Sequence, residues 1–285
     1  MRADRRSRPP ADVARALRRE AGFGCCKCGL PILQYHHIIP WSVEQHYRVE
    51  DMMVLCPNHH DQASKGAMRE AEQRELKARP CNIVSGRTKG ILEVKQDYCA
   101  AEIGDILIVG EGPFVRIEDE DVISLFLAEQ SLEVSLRLFS QQDELLLEIV
   151  RNEWTAGDPL PWDIEAGWQR LTLRERERHI SIAIDARHVP LQLRAELWRA
   201  GHRVTLGPNG IILDAAGIGA GGFVGVGLVG STIEVSTTGW RPVPQPNIGV
   251  QAFVNYPDKR LRLLKAKEAW QRLKRDSASQ REHNT

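Results

Sequence analysis

Residues 25–61 read CCKCGLPILQYHHIIPWSVEQHYRVEDMMVLCPNHHD, and this stretch holds five of the chain's nine histidines and four of its six cysteines. Cys25-x2-Cys28 is followed, after 27 intervening residues, by Cys56-x2-His59. Zinc takes four sulfur or nitrogen ligands in a tetrahedron, and ligand pairs two residues apart on tight turns let two knuckles clamp one ion. The spacing predicts a structural Zn2+ site made by Cys25, Cys28, Cys56 and His59. Cys26-x-Cys28 is a poor knuckle spacing, so Cys26 stays outside that set. Cys81 and Cys99 have no partner motif and read as packing residues.

The flanks of these knuckles carry local signals. Val13, Ala16, Leu17 and Ala21 recur at helical spacing after Pro10, and Gly22 and Gly24 mark a stop. Residues 34–39 and 52–55 read as two short strands joined by a loop. From Pro57 a stretch rich in Ala, Glu, Arg and Lys reads as helical until near Pro80. The order is helix, knuckle, β, β, α. On a strand His36 and His37 point to opposite faces, so one suits a metal ligand and the other a base.

The combination CCKCG, HHIIPW and DMMVLCPNHHD resembles the zinc-containing HNH endonucleases, over about residues 9–80. The resemblance implies a ββα-metal finger that cleaves nucleic-acid phosphodiesters, with Cys25, Cys28, Cys56 and His59 as the structural zinc set. It implies His37 as general base, and His36 and His60 as ligands of a catalytic divalent ion. That ion is expected to be Mg2+ or Mn2+, although imidazole also suits Ni2+, Co2+ or a second Zn2+. The family's middle Asn, which helps hold the base, aligns with Asp51. Aspartate can still accept from an imidazole N–H, and its charge would raise the histidine pKa. Lys65 and Arg69 read as one turn apart on the helix after the second knuckle, where they either grip flanking phosphates or form a solvated basic face.

The resemblance thus points to a metal-dependent HNH endonuclease acting on DNA. In bacterial fusions it suggests a restriction or anti-phage effector, in which a sensor domain controls the nuclease. The alternative is a non-catalytic zinc module that binds nucleic acid or protein. His36, His37 and His60 argue against it, since a structural finger has no use for three spare imidazoles.

The remaining chain bounds the architecture. At 285 residues, and about 150 per domain, two domains are expected. The 42% hydrophobic and 27% charged residues are globular composition, not that of a mostly disordered or collagen-like chain. The formal net charge of zero hides a segregation: residues 1–90 carry +6, 91–258 carry −12 and 259–285 carry +6. A domain of net −12 repels DNA, so it better suits a regulatory ligand or a protein partner.

Beyond residue 90 the hydrophobic period becomes two. Leu132, Val134, Leu136 and Leu138 alternate with polar residues, as do Leu145, Leu147 and Ile149, then Leu171 and Leu173, then Ile180, Ile182 and Ile184. Gly207-Pro208-Asn209-Gly210 signals a hairpin. The fold class expected is α+β: an N-terminal zinc-stabilised ββα finger, a mainly antiparallel sandwich- or barrel-like domain, and a C-terminal helix. The divisions expected are 1–90, a nuclease domain; 91–240, a β-rich recognition or regulatory domain; and 241–285, a linker followed by a basic helix. An amphipathic helix is expected at 121–130 and an extended linker at RPVPQPN after Trp240. In the last helix Leu263, Ala266, Trp270 and Leu273 share one face, which favours the acidic middle domain or a protein at least as much as DNA.

Four further signals are discounted. No apolar h-region follows the basic, disordered start, so a cytoplasmic protein is expected. The uncharged run 215–233 has seven glycines among 19 residues, which argues against a membrane span. Gly217-x-Gly219-x-x-Gly222 matches a dinucleotide fingerprint by letter but no helix follows it, so it reads as bulges or close backbone packing. Trp154, Trp162 and Trp168 could line a pocket, though core packing is favoured. An oligomer is compatible with the sequence.

Overall fold

The computed structural model describes residues 8–129, 131–246, 248 and 251–283. The basic start at 1–7 lies outside them. The protein is α+β and forms two compact units, one of residues up to 90 with 162–168 and the other of 91–161 with 169 onward.

In the first unit the helix α1 (Ala11–Glu20) ends where Gly22 and Phe23 take left-handed backbone, and it buries Ala14, Leu17 and Arg18. The strands β1 (Gln34–His37) and β2 (Met52–Leu55) pair antiparallel, His36 opposite Met53 and His37 opposite Met52. All four residues of β2 are buried, and with Leu17, Ile38 and Met68 they form the core. Pro57 then sits in the first turn of α2 (Pro57–Ser64), where its missing N–H costs nothing.

The long helix expected from Pro57 to near Pro80 is two helices. Gly66, at φ +77°, ends the first, and α3 (Glu70–Ala78) starts afresh. Left-handed backbone costs glycine little, so the chain breaks there in spite of helix-forming neighbours. After Pro80, and before the division expected at residue 90, comes α4 (Cys81–Ser85). Its buried Asn82 donates to the carbonyls of Gly22 and Gly29 at 2.9 and 3.3 Å. A Cβ on Gly24 would lie 2.4 Å from the Gly29 carbonyl oxygen and 2.2 Å from the Asn82 amide, so the knuckle closes only around glycine.

The chain returns to this unit as the strand Asp163–Gly167. Asp163 forms a buried, bidentate ion pair with Arg18, at 2.7 to 3.0 Å, and Arg18 also donates to the Tyr35 hydroxyl at 2.5 Å. Arg15 lies over the Trp162 ring at 4.2 Å. Trp162 and the exposed Trp168 thus belong to this unit, whereas Trp154 is buried in the other.

The second unit is built of large mixed sheets. Most pairings are antiparallel, but Leu191–Arg199 runs parallel to Ala100–Ile103, Gly227–Val229 to Ile106–Val109, and Ser231–Ser236 to Gly112–Ile117. No closed barrel forms among the described residues. Leu132, Val134, Leu136 and Leu138 are buried on one strand, as the alternation predicts. The helix expected at 121–130 is instead the strand Glu120–Ala128, paired on both sides. Val122, Ile123 and Leu125 are buried, and β-branched residues between two partner strands outweigh the weak helical pattern.

The first four residues of the expected linker, 241–244, belong to the edge strand Gly239–Pro244, a position that tolerates Pro242 and Pro244. The glycine run forms the strand Gly219–Phe223 and no helix follows it; a Cβ on Gly221 would come within 2.0 Å of the Trp240 ring. The helix α5 (Lys259–His283) buries Ala266 and Trp270, with Leu263 and Leu273 beside them. Its basic residues meet the unit's acids: Lys274 pairs with Glu111 at 3.2 Å and Lys259 with Glu102. No helix among the described residues is long and apolar enough to cross a membrane.

Candidate metal centre and histidine cleft

Cys25, Cys28, Cys56 and His59 bring four potential ligand atoms within 4.8 Å of one another. Cys25 Sγ and Cys56 Sγ each lie 3.3 Å from His59 Nδ1, and Cys28 Sγ lies 3.8 Å from Cys56 Sγ. With Zn–S near 2.3 Å, a tetrahedron has S···S edges of about 3.8 Å, so the donor set fits zinc in both chemistry and spacing. Cys25 and Cys56 are buried, and burial pushes the Cys25 thiol up. Burial, with the nearby Lys27 charge, lowers His59 and so favours the neutral imidazole a metal needs. Three clustered thiols and a neutral imidazole are stable together as thiolates only around a cation. Cys26 lies outside the set, its thiol pushed up to about 12 by burial.

His59 and His60 are neighbours on α2, where successive side chains diverge by about 100°. His59 therefore reaches the knuckles while His60 faces the other way, toward β1. There its ring meets that of His36 edge-on, with centroids 5.3 Å apart. Two imidazoles on one ion, each nitrogen about 2.1 Å from it, hold their ring centres roughly 5 Å apart, so the pair fits a shared divalent ion. Gln73 on α3 donates its amide to the Met68 carbonyl at 2.9 Å, which leaves its oxygen to accept from His36 Nε2 at 3.1 Å. In the neutral His36 ring the lone pair then sits on Nδ1. A ring N–H anchored to an oxygen is the usual support of a ligating histidine.

His37, on the opposite face of β1, has different partners. Its Nε2 donates to the His46 carbonyl at 3.0 Å, and its ring packs 5.1 Å from Trp41 and 5.2 Å from His46. In the neutral ring Nδ1 then carries the lone pair, as a general base requires. The buried His46 imidazole is held at both nitrogens, donating to the Ile39 carbonyl at 3.2 Å and accepting from the Arg48 amide at 3.3 Å. His36, His37, His60, Gln73 and Trp41 border one cleft of about 1110 Å3.

Asp51 is anchored by two arginines. Its carboxylate pairs with Arg48 at 2.7 Å and Arg74 at 2.8 Å, and these two hydrogen bonds hold it below the usual carboxylate range. Through the backbone, the Asp51 carbonyl accepts from the Ile38 amide at 2.8 Å, next to His37 in the chain. Lys65 and Arg69 do not share a helix. Lys65 caps α2 and pairs with Asp61 at 2.9 Å, while Arg69 precedes α3, and neither borders the cleft.

Sequence reasoning missed His46, Gln73, Asn82 and Asp163. His46 lay inside the histidine-rich stretch and could have been flagged; the other three act through contacts that no local motif marks. Comparison with protein-family models, curated proteins and solved structures finds no match.

Proposed function

We propose that the N-terminal unit is a metal-dependent phosphodiesterase of the HNH, ββα-metal type, acting on DNA. One observation carries the reading: His37, its proton assigned to Nε2 by the His46 carbonyl, shares a cleft with the imidazole pair His36 and His60. Hydrolysis of a phosphodiester needs an in-line water, a base, and counter-charge for the departing oxygen. His37 Nδ1 takes the proton from the water, since imidazole titrates near neutral pH. His36 and His60 would hold a divalent ion, Mg2+ or Mn2+, which supplies Lewis-acid stabilisation of the phosphate and the leaving oxygen. Gln73 keeps the His36 ring turned for that task. The Cys25, Cys28, Cys56 and His59 set would hold a structural zinc that fixes α2, and with it His60, against β1.

The second unit we assign to recognition or regulation. Its acidic surplus suits a protein or small ligand better than a polyanion, and the basic helix that would have been its DNA contact lies on its own sheet.

The test is cleavage of plasmid and single-stranded DNA with Mg2+ or Mn2+ by the full chain and by His37→Ala. Cleavage abolished in the variant, with zinc content unchanged, supports the reading. If neither protein cleaves while each holds one zinc, the finger is a binding module and the enzyme reading falls.

A further inference from the structure

We propose that the histidine cleft receives an unpaired nucleotide whose base stacks on Trp41, so that the chain acts on single-stranded or locally melted DNA. This rests on the phosphodiesterase reading above and names its substrate class.

Trp41 borders the cleft at one side of His37, with their ring centroids 5.1 Å apart. It is half-buried and wedged by two rings that meet it at an angle, His37 at 66° and Tyr47 at 48°. Neither lies parallel to the indole, so among the described residues no stacked ring covers its face. Pro40, Leu33 and the 75% exposed Val43 continue the wall. A rigidly held indole beside the base, in a cleft large enough for a nucleotide, is a stacking platform for whatever base adjoins the scissile phosphate.

The charge of the cleft selects the strand state. Sequence-independent binding to duplex DNA is almost wholly electrostatic and relies on several Lys or Arg contacts to phosphates. Among the described residues bordering the cleft, Arg8 is the one fixed cation, and it faces Glu165 at 3.7 Å. Lys65, which would extend the basic surface, is paired with Asp61 and lies outside the wall. Where the described wall offers one cation, stacking on Trp41 is the contact that adds affinity, and a paired base inside a duplex cannot offer it.

The experiment measures binding apart from cleavage. The full zinc-loaded chain, with Ca2+ in place of Mg2+, is titrated into a fluorescein-labelled twelve-nucleotide dT strand and into the matching duplex. We expect the single strand to bind more tightly, with the shallower salt dependence. Trp41→Leu, which keeps apolar volume but has no π face, should weaken single-strand binding roughly 5- to 100-fold, the worth of one base–aromatic stack, and leave duplex binding unchanged. Trp41→Phe should restore most of it. Equal or tighter duplex binding overturns the proposal, as do Leu and Phe variants that bind the strand alike. The two readings fail separately. A chain that binds the strand through Trp41 yet cleaves no DNA loses the nuclease and keeps the subsite, and one that cleaves duplex with Trp41 immaterial does the reverse.

Discussion

His37 donates its Nε2 proton to the main-chain carbonyl of His46 at 3.0 Å, and the His46 imidazole is itself pinned to the Ile39 carbonyl and the Arg48 amide. The side chain of His46 thus shapes the loop whose backbone orients the His37 ring. His46→Ala should lower kcat for DNA cleavage on the order of ten- to a hundredfold with little change in KM, as misplaced catalytic groups do. NMR of the His37 ring nitrogens should show mixed tautomers in the variant, against one Nε2–H form in the native chain. An unchanged tautomer and kcat would remove His46 from this role.

Asp163 is the carboxylate of the buried Arg18, and their side chains are 4% and 7% exposed. Removing one partner of such a pair leaves a buried charge, at a cost of about 3–5 kcal/mol. Asp163→Ala should therefore destabilise the first unit by that order in urea unfolding. The double variant Arg18→Met, Asp163→Leu should recover much of the loss. If Asp163→Ala unfolds as the native chain does, the pair contributes no stability.

Zinc removal should unfold the knuckles, because structural zinc sites contribute of the order of 10 kcal/mol to folding. Metal analysis of the purified chain should find one tightly held zinc, lost in Cys56→Ser and retained in Cys26→Ala. Zinc retained by Cys56→Ser would disprove the ligand set. Thermal scans with a chelator should show an early transition from the first unit alone.

Arg48 and Arg74 hold the Asp51 carboxyl below its usual value. A depressed folded-state pKa gives stability that is present above the unfolded value, about 4, and is lost as pH falls through the folded one. The Tm difference between the native chain and Asp51→Asn should be widest near neutral pH and close below about pH 4. A pH-independent gap would mean that the carboxylate's charge plays no part.

Gly221 carries the Trp240 ring against its backbone, where a Cβ would lie 2.0 Å from Cζ2. Gly221→Ala should cost about 1–3 kcal/mol through overpacking. Gly219→Ala is a poor control, since its φ of +116° strains any side chain. Trp240→Ala added to Gly221→Ala should relieve the clash, and calorimetry of the second unit tests both.

The metal centre was legible because its ligands come in dense local pairs: Cys25 with Cys28, and Cys56 with His59. His36, His37 and His60 were legible for the same reason, and so was the face of α5 that buries Ala266 and Trp270. What escaped was long-range or conformational. Asp163 lies 145 residues from Arg18, and Gln73 reaches His36 from α3, a separate helix that begins after the break at Gly66. The Glu120–Ala128 strand was misread because its local pattern is ambiguous until partner strands flank it on both sides. His37 Nε2 donates to the His46 carbonyl, a backbone group that every residue carries and no motif records.

The return of residues 162–168 to the first unit also orders events during synthesis. When residue 90 leaves the ribosome the zinc ligands, His36, His37 and His60 have all emerged, yet Arg18 still lacks its carboxylate. At about 5–20 residues per second, the strand that bears Asp163 follows roughly 4 to 15 s later. The first unit is completed only after about half of the second unit's strands have been translated, so a polypeptide terminated before residue 163 releases a first unit without the carboxylate that pairs with Arg18.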